Sequence, residues 1–477
     1  MFMTMADFNT KKLDEFILSQ IEKQNIPGLS ITVTDNGKVL FEKAYGHIDK
    51  DKSVPCNNDT IMGVASLSKS FTCTCIALLE HEGKLSIDDP VSKYFPSFKI
   101  PGTPKDAVLI HHLMNHTTGI PPLPLLSFSF AGHTVKDPEE EKPSFEITTK
   151  VDTVDDIINY INNGDYKSLG QPGEYMSYSN DCYGILSSII DKTSGMSCEQ
   201  YMDEKIFKPL GMSRSMLGFS GLKNFDNVTS LFVSGKDDKS WASDNWHLAP
   251  PYRGCGWIAS TSKDMNRYYS MLSQGGVIDG KRVLPEEVAN VLLGPAFPLL
   301  RYGIYCYGLS KSVRNGKTLF THTGGLKGVS SAGGFFAGTG ISGSVLTNAG
   351  GKNAMKVLLG AFNIYQGLEP ELPTHNVRPC GHGPSEPNIY VGKYGSAEGG
   401  KAIDSDPLDV VLNDASELIV KSSGDGPEMA LHYCFENTFL MAEKGKDLLL
   451  DGMVCKFFVH GDKAWAAQAG SRMHQRV

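Results

Sequence analysis

Long apolar runs are missing from this chain. Nowhere do about 18 uncharged apolar residues follow one another, so no membrane-spanning helix is expected. The opening MFMTMADFNTKKLDEF lacks the basic start, apolar middle and small-residue cleavage site of a secretory signal, which predicts a cytoplasmic protein. Basic clusters are also scarce. With 45 Lys and Arg against 53 Asp and Glu, the net charge is −8, and no stripe of Lys and Arg interleaves with aromatics. Nucleic-acid binding is excluded on that ground. The ten cysteines form no CxxC pair and the thirteen histidines no HExxH, so neither a metal site nor a cofactor is called for. Scattered cysteines of this kind read as reduced, mostly buried thiols. No repeat of 20–50 residues is present.

What is there is ordinary globular material: 477 residues, 40% hydrophobic and 21% charged, enough for two or three domains. Residues 9–25 carry Leu13, Phe16, Ile17 and Ile21 at helical spacing, and Pro27-Gly28 ends the pattern. A hairpin follows, with two β-rich runs about Asp35-Asn36-Gly37. Helices are predicted from Ser66 to His81, over 151–163 and 181–194, and up to Gly211. The stretch from Pro121 to Lys150, with its prolines and DPEEEK run, reads as a loop insertion, a lid over a pocket being one use for it. Five prolines in 368–388 mark a linker, drawn at 368–386. Beyond it, short β-prone segments separated by Gly, Asp or Asn predict a small antiparallel β-barrel over 387–477. The expected architecture is α+β: an antiparallel sheet flanked by helices in 1–367, then the barrel.

Three segments could carry chemistry. In Ser66-Leu67-Ser68-Lys69, residues three apart share a helix face, so Lys69 would stand beside Ser66 as its base or polariser. A helix start also directs backbone N–H groups toward a developing oxyanion. Ser220-x-x-Lys223 and Ser260-x-x-Lys263 match the same spacing. Only Ser66 opens a strongly apolar helix; Ser220 lies in a turn-rich stretch, and Ser260 suits capping of the next helix. In Tyr178-Ser179-Asn180, a phenol near cations can exchange protons with a leaving group, and Asn180 offers a donor and an acceptor to a substrate amide. Tyr160-x-Asn162 competes with it but sits inside an amphipathic helix. In His322-Thr323-Gly324-Gly325, a strand edge ending in two glycines lets a substrate backbone lie alongside, and His322 can donate a hydrogen bond or a proton. His111 and His112, being adjacent, are expected to face apart as cap or packing residues.

SLSK, YSN and HTGG in that order resemble the pattern of the serine β-lactamase and penicillin-binding-protein-like superfamily. The YxN and HTG versions are similar to class C β-lactamases and their esterase and D-aminopeptidase relatives. NHTTGI (Asn115 to Ile120), KIFKPLGM (Lys205 to Met212) and GWIASTSKDMNRY (Gly256 to Tyr268) support the likeness, which covers roughly residues 10–365. NIYVGKYG resembles the start of a lipocalin-like barrel appended to some cytosolic peptidases of that superfamily.

The resemblance implies Ser66 as nucleophile, Lys69 as its partner and Tyr178 as proton shuttle. It places Asn180 at the substrate's acyl side, and Thr323, Gly324 and Gly325 along the substrate, with the Ser66 and Gly325 N–H groups as the oxyanion hole. His322 stands where many relatives have lysine, which weakens the case for an antibiotic-degrading enzyme, since a largely neutral histidine holds a carboxylate less firmly. The expected function is a serine peptidase or amidase acting on small peptides, D-residue-containing ones included. The alternatives are an esterase or an acyltransferase such as a peptide cyclase, and a binding protein that has lost catalysis. Expected partners are a small-molecule or peptide substrate, with no nucleic acid and no membrane; a homo-oligomer stays open.

Overall fold

A computed structural model describes residues 8–140, 143, 145–235, 240–294, 297–299, 303–373, 377–398, 400, 402–421 and 427–477. The first helix spans Thr10–Gln24. Asn9 caps it by accepting the Lys12 N–H at 2.9 Å, and Asn25 stops it in the left-handed conformation at φ 50°. The hairpin follows as Gly28–Asp35 and Lys38–Gly46, turning on Asn36 and Gly37 at φ 50° and 79°, which suits Asn-Gly.

These two strands complete an eight-stranded sheet, otherwise supplied by residues 297–347. Gly28–Asp35 pairs antiparallel with Ile341–Thr347, so that Leu29 lies opposite Thr347. Leu13, Phe16 and Ile17 of the first helix and Val357, Leu358 and Phe362 of the Ala354–Tyr365 helix cover one face. Helix Ser262–Ser273 covers the other, its Ser262 Oγ bonded to Ser30 Oγ at 2.6 Å and Thr32 Oγ1 at 2.9 Å. Beyond that helix lies the larger core around Ser68–His81 and Asn180–Ser194. The antiparallel sheet flanked by helices is therefore as expected.

An eight-stranded antiparallel barrel follows, from Gly392–Gly395 to Arg472–Arg476, closed by pairing Tyr394 with Arg476. Its interior is filled by side chains: Phe439 lies 5.0 Å from Tyr390 and 5.5 Å from Phe457 between ring centroids. Nine of the ten cysteines are buried and Cys380 is exposed; all are free. No helix among the described residues is long and apolar enough to cross a membrane.

Several local expectations need correcting. The 121–150 stretch contains a helix, Leu125–His133. Pro121, Pro122 and Pro124 precede its first turn, where a missing N–H costs nothing, Pro138 and Pro143 follow its end, and LLSFSFAG continues as apolar helix. The segment after it is pinned down. Lys327, with 3% of its side chain exposed, meets Asp137 at 2.8 Å and Glu140 at 2.5 Å, while Trp241 Nε1 and Asn245 Nδ2 donate to Asp137. Burial pushes the Asp137 carboxyl up, but Lys327 and the other donors outweigh it and hold the group well below its usual range. Glu141, Lys142 and Ser144 of that stretch lie outside the described residues. His111 and His112 do not face apart: their ring centroids are 4.1 Å from each other, and His112 Nδ1 accepts the Leu109 N–H at 3.1 Å.

Candidate active site

Ser66 sits in a single 3-10 turn, Ala65–Leu67, leading into helix Ser68–His81. Ala65, just before it, is held at φ +48°, an unfavourable conformation for a residue with a Cβ. Lys69 is fully buried. Its Nζ stands 3.1 Å from Ser66 Oγ, 2.9 Å from Asn180 Oδ1 and 2.8 Å from the Cys255 carbonyl. No carboxylate pairs with it among the described residues; instead the rings of Tyr178 and Tyr183 lie 4.8 and 5.2 Å away. The partners matter chemically. Asn180 Oδ1 and the Cys255 carbonyl can only accept, so in the amine form Lys69 gives them its two hydrogens and turns its lone pair to the Ser66 hydroxyl.

Asn180 opens helix Asn180–Ser194, whose cap is Ser179, accepting the Cys182 N–H at 3.3 Å. Tyr178 is buried. Its ring centroid is 4.3 Å from that of His116 and 6.1 Å from that of His322. Asp181 follows Asn180. Burial pushes its carboxyl up to about 6, against the Tyr252 hydroxyl donating at 2.6 Å and the Ser179 hydroxyl at 3.3 Å.

His322 to Gly325 lie on strand Lys317–Leu326. Strand Ser310–Arg314 pairs with it only as far as Thr321, so among the described residues no strand pairs with the stretch from His322 onward on that side. The period of two turns His322 inward, while Thr323 and Gly325 are exposed. Gly324 abuts the Ser66 turn: a Cβ there would lie 2.3 Å from the Val64 carbonyl oxygen and 2.4 Å from Ser331 Oγ. Only glycine fits.

His322 has both nitrogens engaged. Nδ1 is 2.6 Å from the Thr323 carbonyl, which can only accept, so Nδ1 carries the proton and Nε2 accepts from the Tyr305 hydroxyl at 3.0 Å. Burial, and then the Lys69 charge, push its pKa down to about 4, so the ring is neutral at neutral pH. To donate to a substrate it must give up one of these partners.

The site thus brings together Ser66, Lys69, Tyr178, Asn180 and the His322–Gly325 strand. The competing matches are used elsewhere. Lys263 pairs with Asp59 at 3.1 Å, and Thr261, not Ser260, caps the next helix by accepting the Asp264 N–H. Asn162 donates to the Ser97 carbonyl at 2.8 Å. Ser220 lies in an exposed turn. Neighbours the sequence reading missed are His116, Tyr183, Tyr305, Cys255 and, from the barrel, Arg472. His116 is part of the NHTTGI segment, and its left-handed φ of +63° lets Nδ1 accept the Ser179 N–H at 3.1 Å.

A family model described as Beta-lactamase matches residues 13–363. The chain belongs to the β-lactamase family. Penicillin-binding protein 4* of Bacillus subtilis (strain 168) is 32% identical over 318 residues, which cover 65% of this chain and 65% of that protein. Protein flp of Staphylococcus aureus (strain MW2) is 32% identical over 232 residues, 48% of this chain and 43% of that protein. The chain thus spans less than two thirds of the length of these curated relatives. Both domains are matched by the octameric penicillin-binding protein homologue from Pyrococcus abyssi (22% identity, TM-score 0.67, 98% of this chain and 99% of that one). SurE matches likewise (18%, 0.69, 98% and 99%). The D-amino acid amidase from Ochrobactrum anthropi SV3 matches 72% of this chain and 91% of its own, at 22% identity and TM-score 0.56. At these identities the likeness establishes the fold: a β-lactamase-like α+β domain with an added C-terminal barrel.

Proposed function

We propose that this β-lactamase-family serine hydrolase is a peptidase or amidase acting on small peptides, D-residue-containing ones included, through an acyl-enzyme on Ser66. The observation that carries this reading is Lys69 Nζ, fully buried and 3.1 Å from Ser66 Oγ, with its other two partners both acceptors. Ser66 Oγ bonds to the substrate carbonyl carbon as its proton passes to Lys69. The Ser66 and Gly325 N–H groups receive the oxyanion. The C–N bond then breaks as Tyr178 delivers a proton to the leaving nitrogen. Water, deprotonated by the same groups, attacks the acyl carbon and frees Ser66.

Asn180 orients the acyl side, and Thr323 and Gly325 align the substrate backbone along that strand edge. The neutral His322 orders Tyr305 and offers no fixed cation to a penicillin-type carboxylate. The amide and D-residue preference is supported by the fold match to a D-amino acid amidase. Passing the acyl group to an alcohol or amine instead of water would give the acyltransferase or cyclase variant of the same chemistry. Homo-oligomerisation, by analogy with the octameric neighbour, is a further expectation, checked by light scattering.

The test is intact-mass spectrometry after exposure to matched D- and L-peptide amides, esters and β-lactams. A D-peptide acyl adduct on Ser66, absent from Ser66→Ala, supports the reading; turnover of esters alone would refute the amidase assignment.

A further inference from the structure

The barrel reaches the residues just before Asn180 one by one. Gln468 Nε2 donates to the Met176 carbonyl at 3.1 Å, the Met473 N–H to Ser177 Oγ at 3.2 Å, and the Tyr178 N–H to the Ser471 carbonyl at 2.8 Å. Behind them Leu169, Ala466 and Met473 form a buried cluster with Tyr175, Phe458 and Trp465. Arg472, on the same hairpin, places its guanidinium 4.7 Å from the Tyr178 ring centroid, within cation–π range. Glu398, also from the barrel, fixes that guanidinium, with Nη2 2.6 Å from Oε1 and Nε against Oε2. Lys69 Nζ is 4.8 Å from the same ring.

We propose that the barrel completes the proton-transfer half of the active site, with Arg472 as the positioning residue for Tyr178. This rests on the reading of Tyr178 as the group that protonates the leaving nitrogen. A domain docked for stability alone needs apolar area. It has no need of three hydrogen bonds to the consecutive residues Met176, Ser177 and Tyr178, nor of an oriented charge on the tyrosine ring. When Tyr178 gives up its proton, the negative charge left on it falls within reach of two cations, Lys69 from the sheet-and-helix domain and Arg472 from the barrel. Glu398 holds the guanidinium in place, and arginine stays protonated throughout, so Arg472 holds the ring and steadies the phenolate without exchanging protons.

The test compares two substrates with the same acyl group in the full-length protein: a p-nitrophenyl ester, whose leaving group departs unprotonated, and an amide, whose nitrogen must be protonated. Arg472→Ala should slow amide turnover ~10–100-fold in kcat with little change in KM, and ester turnover less than ~3-fold. Arg472→Lys should recover most of the amide rate. Gln468→Ala, which removes one clamp hydrogen bond and no charge, should give a smaller amide-selective loss of ~3–10-fold, and it keeps the test open if Arg472→Ala does not fold. Equal losses on both substrates, or none on either, overturn the positioning role. Wild-type protein that turns over neither substrate overturns the serine-hydrolase reading itself, and this inference with it.

Discussion

Asp181 should make the protein more stable as the pH falls from neutral toward 4.5. Its carboxyl is buried beside the Asn180 helix start, and burial raises its pKa from 3.8 to about 6. Between those values the folded state holds a proton that the unfolded state has released, so stability declines as pH rises through the window and levels off above about 6. The rise from 3.8 to about 6 corresponds to about 3 kcal/mol in all, of which about 2 kcal/mol should appear between pH 4.5 and 7. Other carboxyl groups add their own slopes, so the quantity to follow is the difference between wild type and Asp181→Asn. The amide keeps the shape, still accepts from Tyr252 and does not titrate. Urea unfolding read by tryptophan fluorescence suits this, because Trp241, Trp246 and Trp257 all lie in the α+β domain and only Trp465 in the barrel. Wild type should gain about 2 kcal/mol on the variant from pH 7 to 4.5. A flat difference, or one of opposite sign, would refute the upward shift of the Asp181 carboxyl.

Other consequences follow from the same geometry. Lys69→Ala should cut the rate of Ser66 acylation by ~10²–10⁴, measured with a fluorophosphonate probe, since Ser66 loses its proton acceptor. Gly324→Ala forces a Cβ against the Val64 carbonyl and should slow acylation at least ~10-fold, with the crystal structure showing the strand displaced from Ser66. His322 should stay neutral to about pH 4, so its NMR ring signals should not titrate between pH 8 and 5.5. Its folded pKa lies below 6.5, so the stability it contributes is complete above pH 6.5 and is lost as pH falls toward 4. Asp137→Ala leaves buried Lys327 with Glu140 as its one remaining carboxylate partner among the described residues and should lower unfolding stability by about 2–3 kcal/mol, read by chemical denaturation.

Locally encoded features were readable from the chain. Asn36-Gly37 marks its hairpin because few other pairs adopt those dihedrals, and the order of SLSK, YSN and HTGG distinguishes Ser66 from Ser220 and Ser260. Gly324 makes room for the Val64 carbonyl, a contact that the sequence, which offers its glycines to a substrate backbone, does not reveal. Groups that depend on long-range packing were not readable. The Cys255 carbonyl at Lys69 is backbone, with no residue-type signal at all. Tyr305 and Arg472 arrive from a distant strand and from the barrel, and nothing in their flanking residues marks them. The Leu125–His133 helix is hidden in the sequence by the prolines and the DPEEEK run on either side of it, although Pro121, Pro122 and Pro124 stand before its first turn. Ideal helical spacing sets His111 and His112 apart, but a five-residue helix ending at Met114 does not impose that spacing on ring packing.

The central claim is that Ser66, activated by Lys69, forms the acyl-enzyme. Its most direct test is peptide mapping of the full-length protein after reaction with a fluorophosphonate at neutral pH. A single adduct on Ser66, slowed strongly in Lys69→Ala, is the predicted result. An adduct on Ser220 or Ser260, or a folded protein that takes up no label, would contradict it, and the latter would favour a binding protein that has lost its chemistry.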